Sequence, residues 1–173
     1  MRKFESFADA PALRPLSKYL QHPALWALNR RSVALAVAAG LFSGLIPGPL
    51  QVLGAAVLAV IFKFNFPIAV VTTVYTNPFT IVPLYLLAYQ IGAWVLGAPP
   101  VSTVGLPPLL DPMNLITSIR GISEWAQSLG TPLLVGVPLL ACLLSAAGYV
   151  VVRTAWSIYL RRAWQRRKKK SVH

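Results

Sequence analysis

The stretch Gly44-Leu-Ile-Pro-Gly-Pro-Leu-Gln51 lies in the middle of an apolar run of 30 residues, 33–62. About 20 apolar residues are enough for a helix to cross a bilayer. A continuous helix is disfavoured here, because Pro47 and Pro49 lack the N–H groups that would bond to earlier carbonyls. The sequence therefore predicts two half-helices, roughly 33–45 and 49–62. Each would be about 20 Å long, which is too short for a hydrocarbon core of about 30 Å.

A second apolar stretch, 66–96, repeats this design. Its break is Tyr75-Thr-Asn-Pro-Phe-Thr80, in which Asn77 is a natural N-cap and Pro78 suits the first turn of a new helix. The arm before the break has about 10 residues, and the arm after it is nearly long enough to cross a bilayer alone. Small residues in the first stretch predict closely packed helix surfaces: Ala36, Gly40, Gly44, Gly54, Ala55 and Ala59.

The rest of the chain divides into four segments. Residues 97–110 are rich in Pro and Gly and indicate a loop, whereas 4-3-4-3 apolar spacing from 115 to 129 predicts an amphipathic helix on the membrane surface. The uncharged run 132–152 predicts a spanning helix bent at Pro138. We therefore predict three parts. Residues 1–31 form a cytoplasmic basic segment with a surface helix, and residues 153–173 form a cytoplasmic polybasic tail. Between them lies a membrane domain, 32–152, which comprises 33–62, 66–96, 97–130 and 132–152.

Composition sets the class of protein. Hydrophobic residues make up 56% and charged residues 12% of the 173 residues, against about 45–50% and about 25% in a typical soluble domain. This excludes a disordered chain and a disulfide-rich module, since only Cys142 is present, and it argues against a soluble enzyme. The predicted fold class is an all-α integral membrane protein, with proline-broken re-entrant helical hairpins, spanning helices and surface amphipathic helices.

The charge distribution predicts the orientation. Of 16 Lys and Arg residues, six lie in 1–31 and eight lie after 152, whereas the whole chain has four acids. Charge at the two ends of an apolar chain fits the positive-inside rule better than a nucleic-acid-binding face, so we expect no nucleic-acid partner and both termini in the cytoplasm.

Two cytoplasmic termini require an even number of crossings. This is met if the first stretch is a re-entrant hairpin that ends at Lys63, the second stretch crosses outward and the last run crosses back. An alternative makes both broken stretches re-entrant, with another segment restoring the parity. Irregular backbone at bilayer depth must be buried in protein or line a watery cavity, so we also expect a homo-oligomer.

The breaks are also the candidate binding site. Helix N-termini carry unpaired N–H groups and attract anions, and paired broken helices are typical of transporter sites. The candidate site residues, for binding or for forming the break, are Pro47, Pro49, Gln51, Asn65, Asn77, Pro78 and Thr80. Two alternatives stay open: the freed carbonyls of Ser43, Leu45 and Val74 coordinate a cation, or the prolines only shape tightly packed hairpins.

Catalysis finds no support in the sequence. No acid lies within any apolar segment, and His22 and His173 are far apart. We therefore predict neither an enzyme nor a bound metal or cofactor. The predicted partners are anionic membrane lipids, whose headgroups would contact a set of basic residues: Arg30, Arg31, Lys63, Arg161 and Arg162.

Four motifs resemble one known family. They are Gly40-Leu-Phe-Ser-Gly-Leu-Ile-Pro-Gly-Pro-Leu-Gln51, Lys63-Phe-Asn-Phe-Pro67, Asn77-Pro-Phe-Thr-Ile-Val-Pro-Leu-Tyr85 and Tyr89-Gln-Ile-Gly92. Together they are similar to the bacterial membrane family catalogued as domain of unknown function 2062, over about residues 20–155. The resemblance implies a small protein of the bacterial inner membrane. Some relatives are joined to glycosyltransferase-like domains, which implies a link to the cell envelope.

These observations lead to competing functional hypotheses. The first is a small transporter or lipid translocator with an anion site, such as a phosphate-headgroup site, between two broken hairpins. The alternative is a non-transporting scaffold or accessory subunit in cell-envelope or lipid-linked glycan assembly.

Overall fold

A computed structural model describes residues 22–48, 50–100, 102, 105 and 115–170, without the side chains of 115, 116 and 162–170. This part of the chain is helical and contains no strand. A short 3-10 turn, Pro23–Trp26, precedes six α-helices: α1 Arg30–Ser43, α2 Leu50–Phe62, α3 Phe66–Thr73, α4 Ile81–Leu96, α5 Leu115–Ser128 and α6 Gly130–Lys170.

Both predicted breaks are confirmed. The first separates α1 from α2, and Gly48 turns the chain there with φ +70°, a backbone conformation that favours glycine. The second separates α3 from α4. The helix α1 begins three residues earlier than predicted, because the side chain of Asn29 caps it by accepting a hydrogen bond from the N–H of Ser32 (2.9 Å).

The helices α1 and α2 form an antiparallel hairpin. After α2, the side chain of Asn65 donates a hydrogen bond to the carbonyl of Ala27 (3.3 Å), just before α1 begins. Phe64 and Phe66 belong to the same buried cluster as Leu25. The chain therefore returns, after its first break, to the end of the bundle from which α1 started.

The helix α3 then runs alongside α1 in the same direction. A Cβ atom at Gly40 would lie 2.5 Å from the carbonyl oxygen of Ala69, and one at Gly44 would overlap the ring of Tyr75. The predicted close packing of small residues is thus confirmed, and Ala36, Ala55 and Ala59 are fully buried. This packing sets both breaks at the same depth.

The helices α4 and α6 cross at a second close contact. A Cβ atom at Gly92 would overlap the backbone of Pro132, and one at Gly136 would overlap the carbonyl of Ala88. Pro132 of α6 meets Gly92 of α4, and Gly136, further along α6, meets the earlier residue Ala88 of α4, so the two helices are antiparallel. Three turns later α6 reaches α1, where a Cβ atom at Gly148 would meet the side chain of Leu41.

The helix α6 is longer than the predicted spanning run. It is continuous from 130 to 170, contains Pro138, and includes the backbone of most of the predicted polybasic tail. Gly130, with φ +63°, ends the preceding turn, and α6 starts at the same residue. The predicted boundary at 152 is therefore a change of composition and not the end of a helix.

The surface of the described helices is largely apolar. By length and composition, one of them, over 130–161, could cross a membrane, and only 17% of its most apolar window is buried within the chain. A core helix of a soluble protein would be mostly buried, so this helix indicates membrane association. Large apolar side chains are also exposed on the other helices: Leu50, Val57, Ile61, Phe62, Val71, Leu87 and Trp94.

Candidate functional site

The two breaks meet in the middle of the bundle. Carbonyl oxygens at the end of α1 accept hydrogen bonds from hydroxyl groups of the second broken stretch. The bonds are Tyr75 to Leu41 (2.8 Å), Thr76 to Gly44 (2.5 Å) and Tyr85 to Leu45 (3.3 Å). We call this region the junction, which consists of residues 41–45, Gln51, 73–76 and Tyr85.

These bonds satisfy carbonyl groups at the end of α1. The last carbonyl groups of a helix have no partner within it, and together they form the negative end of its dipole. Water would normally satisfy them, but Ser43 and Leu45 are 0% and 1% exposed. Neutral hydroxyl donors do so here, and no charged residue occurs in 41–51 or 73–85. The junction is thus polar without carrying charge.

Thr76 is the centre of the junction. Besides Gly44, its hydroxyl oxygen lies 3.0 Å from the side-chain oxygen of Gln51 and 3.1 Å from the carbonyl of Thr73. Gln51, on α2, therefore lies beside the second break. The sequence reasoning did not single out Thr76, although this residue directly precedes Asn77 in the quoted break.

Ser43 contributes a buried hydroxyl to the same region. Its Oγ has no hydrogen-bond partner in the described part of the chain. A Cβ atom at Gly54 would lie 3.3 Å from this oxygen. Since Gly54 follows Gln51 by three residues on α2, Ser43 Oγ lies against the helix face that bears Gln51.

Asn77 and Thr80 cap the second break. Asn77 is exposed, and its side-chain oxygen accepts hydrogen bonds from the N–H groups of Phe79 (2.9 Å) and Thr80 (3.1 Å). The hydroxyl of Thr80 accepts from the N–H of Asn77 (3.0 Å) and donates to the carbonyl of Tyr75 (2.7 Å). Asn77 was predicted to be the N-cap of the new helix, but α4 begins at Ile81 with Thr80 as its N-cap, so Asn77 caps the turn before α4 instead. These bonds occupy the N–H groups before α4 that we expected to face an anion.

The described candidate residues outside the junction are Asn65, Pro47 and Pro78. Asn65 is only 3% exposed and caps α3 by accepting from the N–H of Ile68 (3.1 Å), so it is at the opposite end of that helix. Pro47 is exposed at the tip of the first hairpin, and Pro78 is half-buried in the second break. Pro49 lies outside the described residues.

Basic side chains gather at the end where α1 begins. Arg30 and Arg31 are exposed in the first turn of α1, and Lys63 is exposed in the turn before α3. The Asn65–Ala27 hydrogen bond holds these two segments together. We call this the basic end of the bundle.

The antiparallel course of α6 carries further charge toward the basic end. Arg153 donates a hydrogen bond to the hydroxyl of Tyr149 (2.7 Å), and its guanidinium lies 5.6 Å from that ring. Arg161, two turns later, is exposed. The side chain of Arg162 lies outside the described residues.

No group of three or more His, Cys, Asp and Glu side chains occurs among the described residues that could hold a metal ion. The chemistry open to the junction is therefore that of neutral oxygens and amides: hydrogen bonding, or weak coordination of an ion.

The sequence profile of a family described as uncharacterised proteins conserved in bacteria, DUF2062, matches residues 13–165. This chain belongs to the DUF2062 family. The match includes both breaks, the basic end and most of α6, so the resemblance inferred from the four motifs is confirmed. Among curated proteins and among solved structures, no significant match to this DUF2062 protein was found.

Proposed function

We propose that this DUF2062 protein is a small multi-pass protein of the bacterial inner membrane that moves a solute or a lipid headgroup past the junction. The observation that carries the proposal is the meeting of the two chain breaks at one depth, where hydroxyl–carbonyl bonds replace the packing of continuous helices. Paired broken helices with a shared polar centre are the usual architecture of transporter sites.

Helix lengths and directions support a membrane topology for this proposal. The hairpin of α1 and α2 reaches about 20 Å from the basic end and returns, which is less than a hydrocarbon core of about 30 Å. In contrast, α3 and α4 follow one another in the same direction, and their combined helix length is about 36 Å. The helix α6 runs back in the opposite direction. With one re-entrant hairpin and two crossings, both termini and the basic end would face the cytoplasm.

The basic end supplies the expected contact with phosphate headgroups. Arg30, Arg31 and Lys63 are exposed there beside the apolar side chains of Ile61 and Phe62. Cations next to exposed apolar surface suit the boundary between headgroups and acyl chains. An anion attracted to this end would lie at the base of the α1–α2 hairpin, which extends from the basic end to the junction. At the junction the N-terminus of α2 stays the proposed anion site, since Asn77 already occupies the donors before α4.

Exposed backbone at the breaks supports the proposed homo-oligomer. Pro47, Gly48 and Asn77 are exposed in the single chain. Lipid does not tolerate irregular backbone at bilayer depth, so a second copy or a water-filled cavity must cover these tips.

A specific observation favours a second candidate, a non-transporting scaffold. Asn65 caps α3, Asn77 caps the turn before α4, and Gln51 has a partner in Thr76. This is the arrangement expected if the breaks only shape packed hairpins. The two candidates differ in whether water reaches the junction.

Cysteine accessibility separates the two. In a Cys142→Ser background, Gln51→Cys would be treated with a small water-soluble thiol reagent in intact membranes. Val57→Cys is the matched control, because Val57 lies six residues further along the same helix and is 39% exposed on a surface that the proposal assigns to lipid. The transport proposal expects rapid labelling at position 51 and none at position 57.

Equal lack of labelling at the two positions would contradict transport through the junction and favour the scaffold. Rapid labelling at both would instead show that α2 lies in water, which contradicts the membrane topology. Unfolding in detergent should expose both thiols, which confirms that each cysteine is chemically competent.

A further inference from the structure

We propose that the junction binds a monovalent cation, with the sodium ion as the best candidate. Its ligands would be the carbonyl of Gly44 and the side-chain oxygens of Ser43, Gln51 and Thr76. The inference deepens the proposed function, because it rests on the same junction and names an ion that the site would hold or use to drive transport.

The hydroxyl of Thr76 has more hydrogen-bond acceptors around it than it has protons to donate. The hydroxyl oxygen of Thr76 lies within 2.5–3.1 Å of three acceptors: Gly44 O, Gln51 Oε1 and Thr73 O. A threonine hydroxyl carries a single proton, so it satisfies one of these contacts well, and the others bring lone pairs together. A cation among the oxygens converts this repulsion into attraction.

The second argument is the unpartnered hydroxyl of Ser43. This side chain is 0% exposed, and its oxygen has no partner among the described residues. A buried hydroxyl usually finds a hydrogen bond, because burial without one is costly. Ser43 lies next to Gly44 in the chain and against the face of α2 that bears Gln51, so its oxygen adds to the same oxygen-rich region.

The third argument is the field at this position. The carbonyl groups that would hold the cation lie at the C-terminal end of α1, which carries a partial charge of about −0.5, whereas the proposed anion site is the N-terminal end of α2. No Lys or Arg occurs in 41–51 or 73–85 to repel a cation. Carbonyl ends of broken helices coordinate sodium ions in transporters of other folds. Neutral ligands alone make the binding weak and readily reversible, as a transported or coupling ion requires.

A simpler arrangement competes with the ion. If the Gln51 amide is rotated by half a turn, its NH₂ group donates to Thr76, and Thr76 donates to Gly44. That arrangement satisfies both side chains without a ligand, but it leaves Ser43 Oγ without a partner. The two arrangements make opposite predictions about cations.

The test measures the thermal stability of the full chain in detergent. Apparent Tm would be compared in sodium chloride, potassium chloride and choline chloride at equal ionic strength. Binding to the folded state raises Tm with ion concentration, so we expect a saturable rise of a few degrees in sodium relative to choline. Choline is the reference because it is too large for the site.

Two serines on α1 provide a matched pair of variants. Ser43→Ala should abolish the sodium-dependent rise. Ser32→Ala should retain it, because Ser32 is also buried, and its hydroxyl has no partner in the described part of the chain, but it lies three turns away at the start of the helix. Gln51→Glu should increase the sodium affinity at least tenfold, because it adds a negative charge to the ligand set. A purely structural glutamine would give no such gain.

The outcomes distinguish this inference from the proposed function. Identical Tm values in all three chlorides, with no gain in Gln51→Glu, overturn the cation site and favour the rotated amide. The transport proposal still stands in that case if Gln51→Cys is labelled. A sodium-dependent Tm combined with an unlabelled Gln51→Cys supports a structural ion and contradicts the transport proposal.

Discussion

The closest helix contact in the structure gives the sharpest prediction, for Gly136→Ala. A Cβ atom at this position would overlap the carbonyl oxygen of Ala88 and lie 2.6 Å from its carbon and 3.1 Å from the nitrogen of Gly92. All three atoms belong to the backbone of α4, so no side-chain rotation relieves the overlap. An ordinary contact of about 3.4 Å to the Ala88 carbon alone would require the two helices to separate by about 0.8 Å, and the overlapping oxygen requires a larger separation.

The expected magnitude combines two opposing effects. Overpacking of this kind costs about 1–3 kcal/mol, and the upper half applies because the contacts are to backbone. Alanine also stabilises a helix interior by about 0.8–1 kcal/mol relative to glycine. We therefore expect Gly136→Ala to lower the free energy of unfolding by about 1–2 kcal/mol.

Gly54→Ala is the matched control. It has the same helix-propensity gain, but the nearest atoms to its Cβ would all belong to side chains: the end of Ile46 at 3.1 Å and the Oγ and Cβ of Ser43 at 3.3 and 3.5 Å. Both variants would be unfolded reversibly in mixed micelles with increasing dodecyl sulfate, followed by tryptophan fluorescence. If Gly136→Ala is as stable as Gly54→Ala, the crossing of α4 and α6 is not as close as described, and the reasoning fails.

Three further predictions concern the breaks and the ends of the helices. Tyr75→Phe should lower the free energy of unfolding by about 1 kcal/mol, because it removes a hydrogen bond between the two breaks. Tyr159→Phe, on the exposed part of α6, should leave the free energy of unfolding unchanged. Equal free energies for the two variants would show that the Tyr75 hydrogen bond contributes no stability. Asn65→Ala should cost about 1–2 kcal/mol in the same assay and more than Asn29→Ala, because it loses a long-range hydrogen bond in addition to a cap; an equal cost would contradict the link to the start of α1. Truncation after Leu160 should weaken binding to vesicles that contain anionic lipid relative to neutral ones, and an unchanged lipid preference would refute the headgroup role of the tail.

The helix breaks could be predicted from the sequence because proline acts locally. Pro47 lacks an N–H group whatever the surroundings, and Asn77 followed by Pro78 is a local start signal for a helix. Small residues likewise predicted close packing, since glycine allows backbones to approach in any partner arrangement. These features depend on the chemistry of a few neighbouring residues.

The partners across the junction could not be predicted in the same way. The bonds from Tyr75, Thr76 and Tyr85 join residues 32 to 40 positions apart in the chain, and no local pattern specifies such a pairing. Hydroxyl residues beside a predicted break were a usable signal, because the freed carbonyls had to find donors. The sequence reasoning instead gave weight to the amides, of which Asn65 lies at the other end of α3.

The sequence predicts that the last helix emerges from the membrane into a polybasic tail, but it does not indicate how far the helix extends along that tail. The predicted end at residue 152 was the edge of the apolar run, where the chain was expected to leave the membrane. Backbone structure does not change at that edge, because Arg and Lys are good helix formers. The helix therefore continues to Lys170.

In the proposed topology the first broken stretch returns to its starting side whereas the second crosses, and the junction lies within the bilayer. Single cysteines at Lys63 and Gly105, in a Cys142→Ser background, test it most directly. Lys63 is exposed, and a side chain at Gly105 would enter open space, so both positions tolerate the change. An impermeant thiol reagent should label position 105 from outside intact inner-membrane spheroplasts, and position 63 only after the membrane is opened. Labelling of both from the same side would contradict the topology on which the proposed site depends.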